Sequence, residues 1–89
     1  MRTSEPRAGE KIKAVRMDED VLTVDLADGR TVSTPLVWYP RLLHASPQQR
    51  SNYVISGAGF GIHWPDIDED LRVDVMLAGA AEPGVRVAV

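Results

Sequence analysis

The sequence predicts an α+β domain. It expects a small antiparallel β-sheet, made of an N-terminal three-stranded meander plus a short hairpin, packed with two or three short helices. Three observations lead there. Between residues 11 and 36, β-type runs are separated by an acidic turn and an Asp-Gly pair. Between residues 40 and 51, two prolines and a Ser-Pro-Gln-Gln run carry helix-start chemistry. At residues 57–61, three glycines separate two further short apolar runs. Eighty-nine residues hold one domain, divided here into an N-terminal arm over 1–10, a body over 11–79 and a C-terminal tail over 80–89.

The arm is polar and contains Pro6 and Gly9, which favours a loose segment. "KIKAVRM" (11–17) is compatible with a strand, but its apolar phase slips after Ala14, as suits an edge or a bulge. The turn Asp18-Glu19-Asp20 leads into "VLTVDLA" (21–27), where Leu22, Val24 and Leu26 alternate onto one face. Asp28-Gly29 then predicts a tight type I′ hairpin, in which both central residues take positive φ. The returning strand places Val32 and Thr34 on one face, and Pro35 ends it by removing a ladder donor.

Pro40 opens a short helix to Ala45, with Trp38, Tyr39, Leu42 and Leu43 facing the sheet. Ser46 as N-cap, Pro47 at the first helical position and Gln49 closing a capping box start a second. "YVIS" (53–56) and "IHW" (62–64) form a hairpin around "GAGFG". Beyond Pro65 two periods compete. Leu71, Val73, Val75 and Leu77 alternate, while Ile67, Leu71, Val75 and Ala78 follow a helical spacing. The expectation is a short helix, capped by Asp66 or Asp68 and ended by Gly79.

Composition excludes several classes of function. There is no cysteine, so disulfides, thiolate metal sites and thiol nucleophiles are ruled out. No apolar run approaches the roughly 20 residues of a membrane span, and the N-terminus lacks the apolar core of a signal peptide. The expected location is the cytoplasm. A net charge of −3 argues against nucleic acid, which needs clustered cations. Charge is nonetheless uneven. Residues 1–16 carry +3 from Arg2, Arg7, Lys11, Lys13 and Arg16 against Glu5 and Glu10. Residues 61–79 carry −4 from Asp66, Asp68, Glu69, Asp70 and Asp74 against Arg72. Two solvated ends that attract one another account for this, and an acidic face for a basic partner is the sharper alternative.

The densest segment, "GIHWPDIDED" (61–70), invites three chemical readings. As a calcium loop, Asp66, Asp68 and Asp70 supply oxygens, but Leu71 and Leu77 stand where the loop needs glycine and a bidentate glutamate. As a transition-metal site, only His44 and His63 are available, 19 residues apart and without a helical HExxH spacing. As an acid–base centre, His63 with Asp66, Asp68, Glu69 or Asp70 has the ingredients without a recognisable frame. "GAGFG" runs into a proline-stopped strand rather than a helix, so it lacks the anion-binding helix end of a phosphate loop. Ser46, Ser51 and Ser56 lie outside any GxSxG elbow. Arg41 and Arg50 are expected to face the carboxylates, either as structural ion pairs or as part of a recognition face.

The motifs "DGR" (28–30), "PLVWYPRLLHASPQQR" (35–50), "GFGIHWPDIDEDL" (59–71) and "LAG" (77–79) occur in order across residues 11–79. In this combination the chain resembles the small bacterial family catalogued as domain of unknown function 2442. The resemblance implies a compact α+β fold. It implies that some relatives carry a DNA-binding helix-turn-helix module, absent here. Others are encoded beside a second small family, domain of unknown function 4160, which suggests a two-protein, antitoxin-like system. It supplies no catalytic residues. Val75 stands where relatives often have glycine.

The reading that follows is a non-catalytic protein-binding module, with no cofactor and no metal. Its partner is another small protein encoded next to it, or a second copy of itself, and neither membrane nor nucleic acid. Its expected interaction face combines Trp38, Tyr39, Arg41 and Arg50 with His63, Trp64, Asp66, Asp68, Glu69 and Asp70, because aromatic and arginine side chains dominate interface energetics. Core packing is the competing account of Trp38 and Trp64. The alternatives are a small metal-dependent or acid–base enzyme centred on His63 and Asp66–Asp70, and an accessory of a transcriptional regulator using the basic arm.

Overall fold

Among the described residues, six strands form two antiparallel three-stranded sheets that pack with three short helices around one apolar core. The structure is a computed structural model, and it describes residues 8–79. The tail and all but the last three residues of the arm lie outside the described residues. Those last three, Ala8–Glu10, form a 3-10 turn tied to the first sheet by Asp28 N donating to Gly9 O at 3.0 Å.

The first sheet holds β1 (Ile12–Met17), β2 (Val21–Leu26) and β3 (Thr31–Pro35) in that order. The phase slip in β1 corresponds to a register shift between Ile12 and Ala14, on an edge strand. β2 buries Leu22, Val24 and Leu26 and leaves the residues between them half-covered, as its alternation predicts. The Asp18 carboxylate shapes the β1–β2 turn by accepting from Asp20 N at 2.8 Å and Val21 N at 2.7 Å.

The β2–β3 hairpin forms, but not with the predicted turn. A type I′ turn needs positive φ at both Asp28 and Gly29, and only Gly29 has it, at 96°. Asp28 is held on both sides: its N–H donates to Gly9 O and its carboxylate accepts from Arg30 N at 3.0 Å. Leu26 N donates to Arg30 O and Gly29 N to Leu26 O, so the loop spans residues 27–29 and only its last residue, Gly29, takes the left-handed position.

Pro35 closes β3, and a 3-10 turn over Leu36–Trp38 carries the chain into α1 (Pro40–Leu43). In α2 (Pro47–Ser51) the capping box is complete: Ser46 Oγ accepts from Gln49 N, and Gln49 Oε1 accepts from Ser46 N.

The second sheet orders β4 (Val54–Ser56), β5 (Gly61–Trp64) and β6 (Glu69–Arg72). Here a prediction is corrected. The carboxylates after Pro65 cap no helix. They lie in and beside a tight β5–β6 turn, in which Asp68 takes φ of 53°, and in β6 itself, which pairs Ile62 with Leu71 and Trp64 with Glu69. The helix is shorter than expected. It is α3 (Val73–Ala78), begins at Arg72 without a side-chain cap, and ends on left-handed Gly79 as predicted. Neither competing period maps onto one element: of the alternating residues only Leu71 lies in β6, and α3 buries Val73 and Met76 while leaving Val75 and Leu77 exposed.

Candidate functional site

The ten residues of the expected face separate into three groups. Tyr39, Trp64 and Glu69 are buried, the two aromatics at 1% and 0% exposure. Trp64 fills the core under β5 and donates its Nε1 to Arg50 O at 2.9 Å. Tyr39 lies beside the Thr34 hydroxyl and Glu69. Burial is the main cause that raises its pKa, opposed by Thr34 and assisted by the carboxylate. The two hydroxyls still fall outside hydrogen-bonding geometry, and neither completes a bond among the described residues. Side chains this deeply buried offer a partner no surface.

The second group, Arg50, Arg41 and Trp38, is engaged in structural contacts. The Arg50 guanidinium does not reach the acidic segment. It donates to Leu42 O at 3.0 Å, Leu43 O at 2.8 Å and Asp18 O at 3.4 Å, binding the end of α1 to the β1–β2 turn. This corrects the expected pairing: Arg50 is committed to the C-terminal carbonyls of α1, of which Leu42 O also accepts from Ala45 N at 3.2 Å. Arg41 does reach the segment: its Nη1 donates to Asp68 O at 2.6 Å and lies 3.7 Å from Glu69 Oε1. Trp38 is half-buried and packs edge-on against Tyr39, with ring centroids 6.4 Å apart.

The third group lies on the surface. His63 Nδ1 and Asp70 Oδ1 stand 2.7 Å apart as directly opposed residues of β5 and β6. Asp66 accepts from Asn52 Nδ2 at 3.0 Å, and Asp68 is exposed in the β5–β6 turn. These carboxylates therefore point to separate neighbours instead of converging on His63. Among the described residues, no group of three histidine or acidic side chains is placed to hold a metal ion.

The concave surface lies elsewhere. A groove of about 420 Å³ is lined by Val15 and Met17 of β1, Asp18 and Glu19 of the following turn, Pro47, Arg50 and Ser51 of α2, and Tyr53. Of the ten expected residues, only Arg50 lines it. Val15 and Met17, two residues apart on an edge strand, line it together with Pro47 and Tyr53, and Asp18 and Glu19 continue the lining beyond the end of β1. Asp18 is held below the usual carboxylate range by the backbone N–H groups of Asp20 and Val21. Glu19 is exposed and makes no side-chain bond among the described residues. Reading the sequence missed this site. Its one local trace is the apolar alternation of Val15 and Met17 running straight into an acidic turn.

The sequence model of the family described as Protein of unknown function (DUF2442) matches residues 12–82. The chain belongs to this family. The DUF2442 region thus takes in both sheets, all three helices and the groove. Among solved structures, it is similar to the crystal structure of a protein of unknown function from Rhodospirillum rubrum ATCC 11170, determined at 2.75 Å. The two chains share 30% identity with a TM-score of 0.72, over 83% of this chain and 92% of the other. No curated protein matches. No helix among the described residues is long and apolar enough to cross a membrane.

Proposed function

We propose that this DUF2442 protein is a non-catalytic binding module that docks a protein partner in its groove. The carrying observation is the separation of chemistry from concavity. The histidine and the carboxylates that acid–base or metal catalysis would use lie on an open sheet face or in the core, whereas the groove presents an apolar floor with charge at one end. Its volume falls in the range of binding clefts, about 300–1,000 Å³. An apolar floor with polar groups at the edge is how clefts combine affinity with orientation. The antitoxin-like role that the family resemblance suggests fits a small module of this kind, and the proposed setting is the bacterial cytoplasm, with a small partner encoded beside it.

The test is affinity capture with the tagged protein and with a Ser51→Trp variant. Ser51 is exposed on the groove wall, so an indole there fills the groove without entering the core. The expected result is one small protein in stoichiometric amount with the native chain and none with the variant, at unchanged circular dichroism. Equal capture by both chains would move the site away from the groove, and no capture by either would remove the binding-module reading.

A further inference from the structure

We infer that the groove takes an extended protein segment in which alternate residues are apolar, lying along β1 with a basic residue against the Asp18–Glu19 end. The inference rests on the binding-module reading and adds the chemistry and conformation of the occupant.

Three observations argue for it. The first is the edge position of β1. It pairs only with β2, so alternate backbone N–H and C=O groups on its other side have no strand partner among the described residues. Such an edge accepts an incoming strand, and main-chain bonds then hold the segment while side-chain contacts select it. The second is the wall chemistry. Val15 and Met17 present apolar surface two residues apart on the same strand, together with Tyr53 and Pro47. A segment lying extended along them repeats at the same period, so alternate side chains meet this apolar strip.

The third is charge. The lining includes two carboxylates and one guanidinium, but these are not equivalent to a visitor. The Arg50 donors are directed at Leu42 O, Leu43 O and Asp18 O. Asp18 is anchored by two backbone N–H groups, and the Glu19 side chain is unbonded among the described residues. Asp20, also exposed, adds a third carboxylate to the same turn. An anionic segment would meet this turn with repulsion and find the arginine engaged. A lysine or arginine meets complementary charge.

The test uses three labelled heptapeptides titrated against the full chain by fluorescence polarisation: alternating valine and lysine, alternating valine and glutamate, and the lysine peptide with alternate backbone nitrogens methylated. The lysine peptide is expected to bind, roughly fivefold more weakly to Glu19→Lys than to the native chain, and not measurably to Ser51→Trp. The glutamate peptide is expected not to bind. Methylation is expected to weaken binding about tenfold or more by removing main-chain donors. Glu19→Lys removes no side-chain bond among the described residues, and a melting curve checks that it folds. Equal binding of lysine and glutamate peptides, indifference to Glu19→Lys, indifference to methylation, or no binding by any peptide would each overturn the inference. So would a self-association measurement in which Ser51→Trp abolishes a native dimer, since the occupant would then be a second copy. Failure here with partner capture still lost in Ser51→Trp leaves the groove as the docking site and rejects only this occupant. Capture that survives Ser51→Trp rejects the groove itself.

Discussion

The Trp64 indole donates to the main-chain carbonyl of Arg50 at 2.9 Å, while the Arg50 side chain grips Leu42 O and Leu43 O. One residue thus joins β5, α1, α2 and the β1–β2 turn, and the groove wall is built on that joint. Trp64→Phe keeps an aromatic ring in the core but leaves a part-buried carbonyl without its donor. The expected loss is about 1–3 kcal/mol, measured by urea unfolding. Stability within about 0.5 kcal/mol of the native chain would show that the bond adds nothing beyond packing.

Arg41 performs a similar task at the β5–β6 turn, beside the opposed pair Trp64 and Glu69. Its Nη1 holds Asp68 O and stands 3.7 Å from the buried Glu69 carboxylate. Arg41→Met retains much of the apolar stem and removes the cation, with an expected cost of about 1–3 kcal/mol. Part of that cost should disappear when Glu69→Gln is combined with it, because the neutral amide no longer needs the cation. A double-mutant cycle in chemical denaturation reads the coupling directly. Strict additivity would mean that the 3.7 Å approach carries no net energy.

Asp68 sits at φ of 53° in the β5–β6 turn, a conformation that β-branched side chains resist. Asp68→Gly is expected to stay within about 0.5 kcal/mol of native stability, whereas Asp68→Val loses about 1–2 kcal/mol. Thermal unfolding of the two variants compares them on one scale. If valine is tolerated as well as glycine, the turn does not depend on this left-handed residue.

Acid should weaken the first sheet through three carboxylates. Backbone N–H groups of Asp20 and Val21 lower the Asp18 pKa, hydrogen bonds from Arg16 and then Thr31 lower that of Asp25, and the Arg30 N–H lowers that of Asp28. A carboxylate with a folded pKa below its unfolded value stabilises the fold fully above the unfolded value and loses that contribution as pH falls through the folded one. Stability is therefore expected to be level from about pH 7 to about pH 5 and to fall below about pH 4. Unfolding free energies across this range should show a shallower fall for Asp25→Asn. An identical acid limb in that variant would remove Asp25 from the account.

Much of the local structure was legible because it is written within a few residues of itself. The alternation of Leu22, Val24 and Leu26, the reciprocal bonds of Ser46 and Gln49, and the left-handed ends at Gly29 and Gly79 all depend on near neighbours. The phase slip near Ala14 marked the irregularity in β1 for the same reason. The turn type at Asp28 was misread because the hairpin closes at Leu26 and Arg30 around a three-residue loop, and the Asp-Gly pair does not by itself fix loop length.

What the sequence determined by itself is the α+β class, the run of local elements from residue 11 to 64, the helix end at Gly79 and the lack of thiol chemistry. Tertiary structure decided the rest. Residues 69–72 are a strand because β5 offers them a ladder, and no local signal separates that alternation from the helix that follows. Tyr39 and Trp64 are core and not interface because two sheets close over them, and an aromatic side chain suits either place. The groove exists because Val15 and Met17 come to line it together with Pro47 and Tyr53, a meeting that neither segment specifies alone. Short-range hydrogen bonds and periodicity leave marks in a chain, whereas a concave surface is the shape left between elements that meet only after folding.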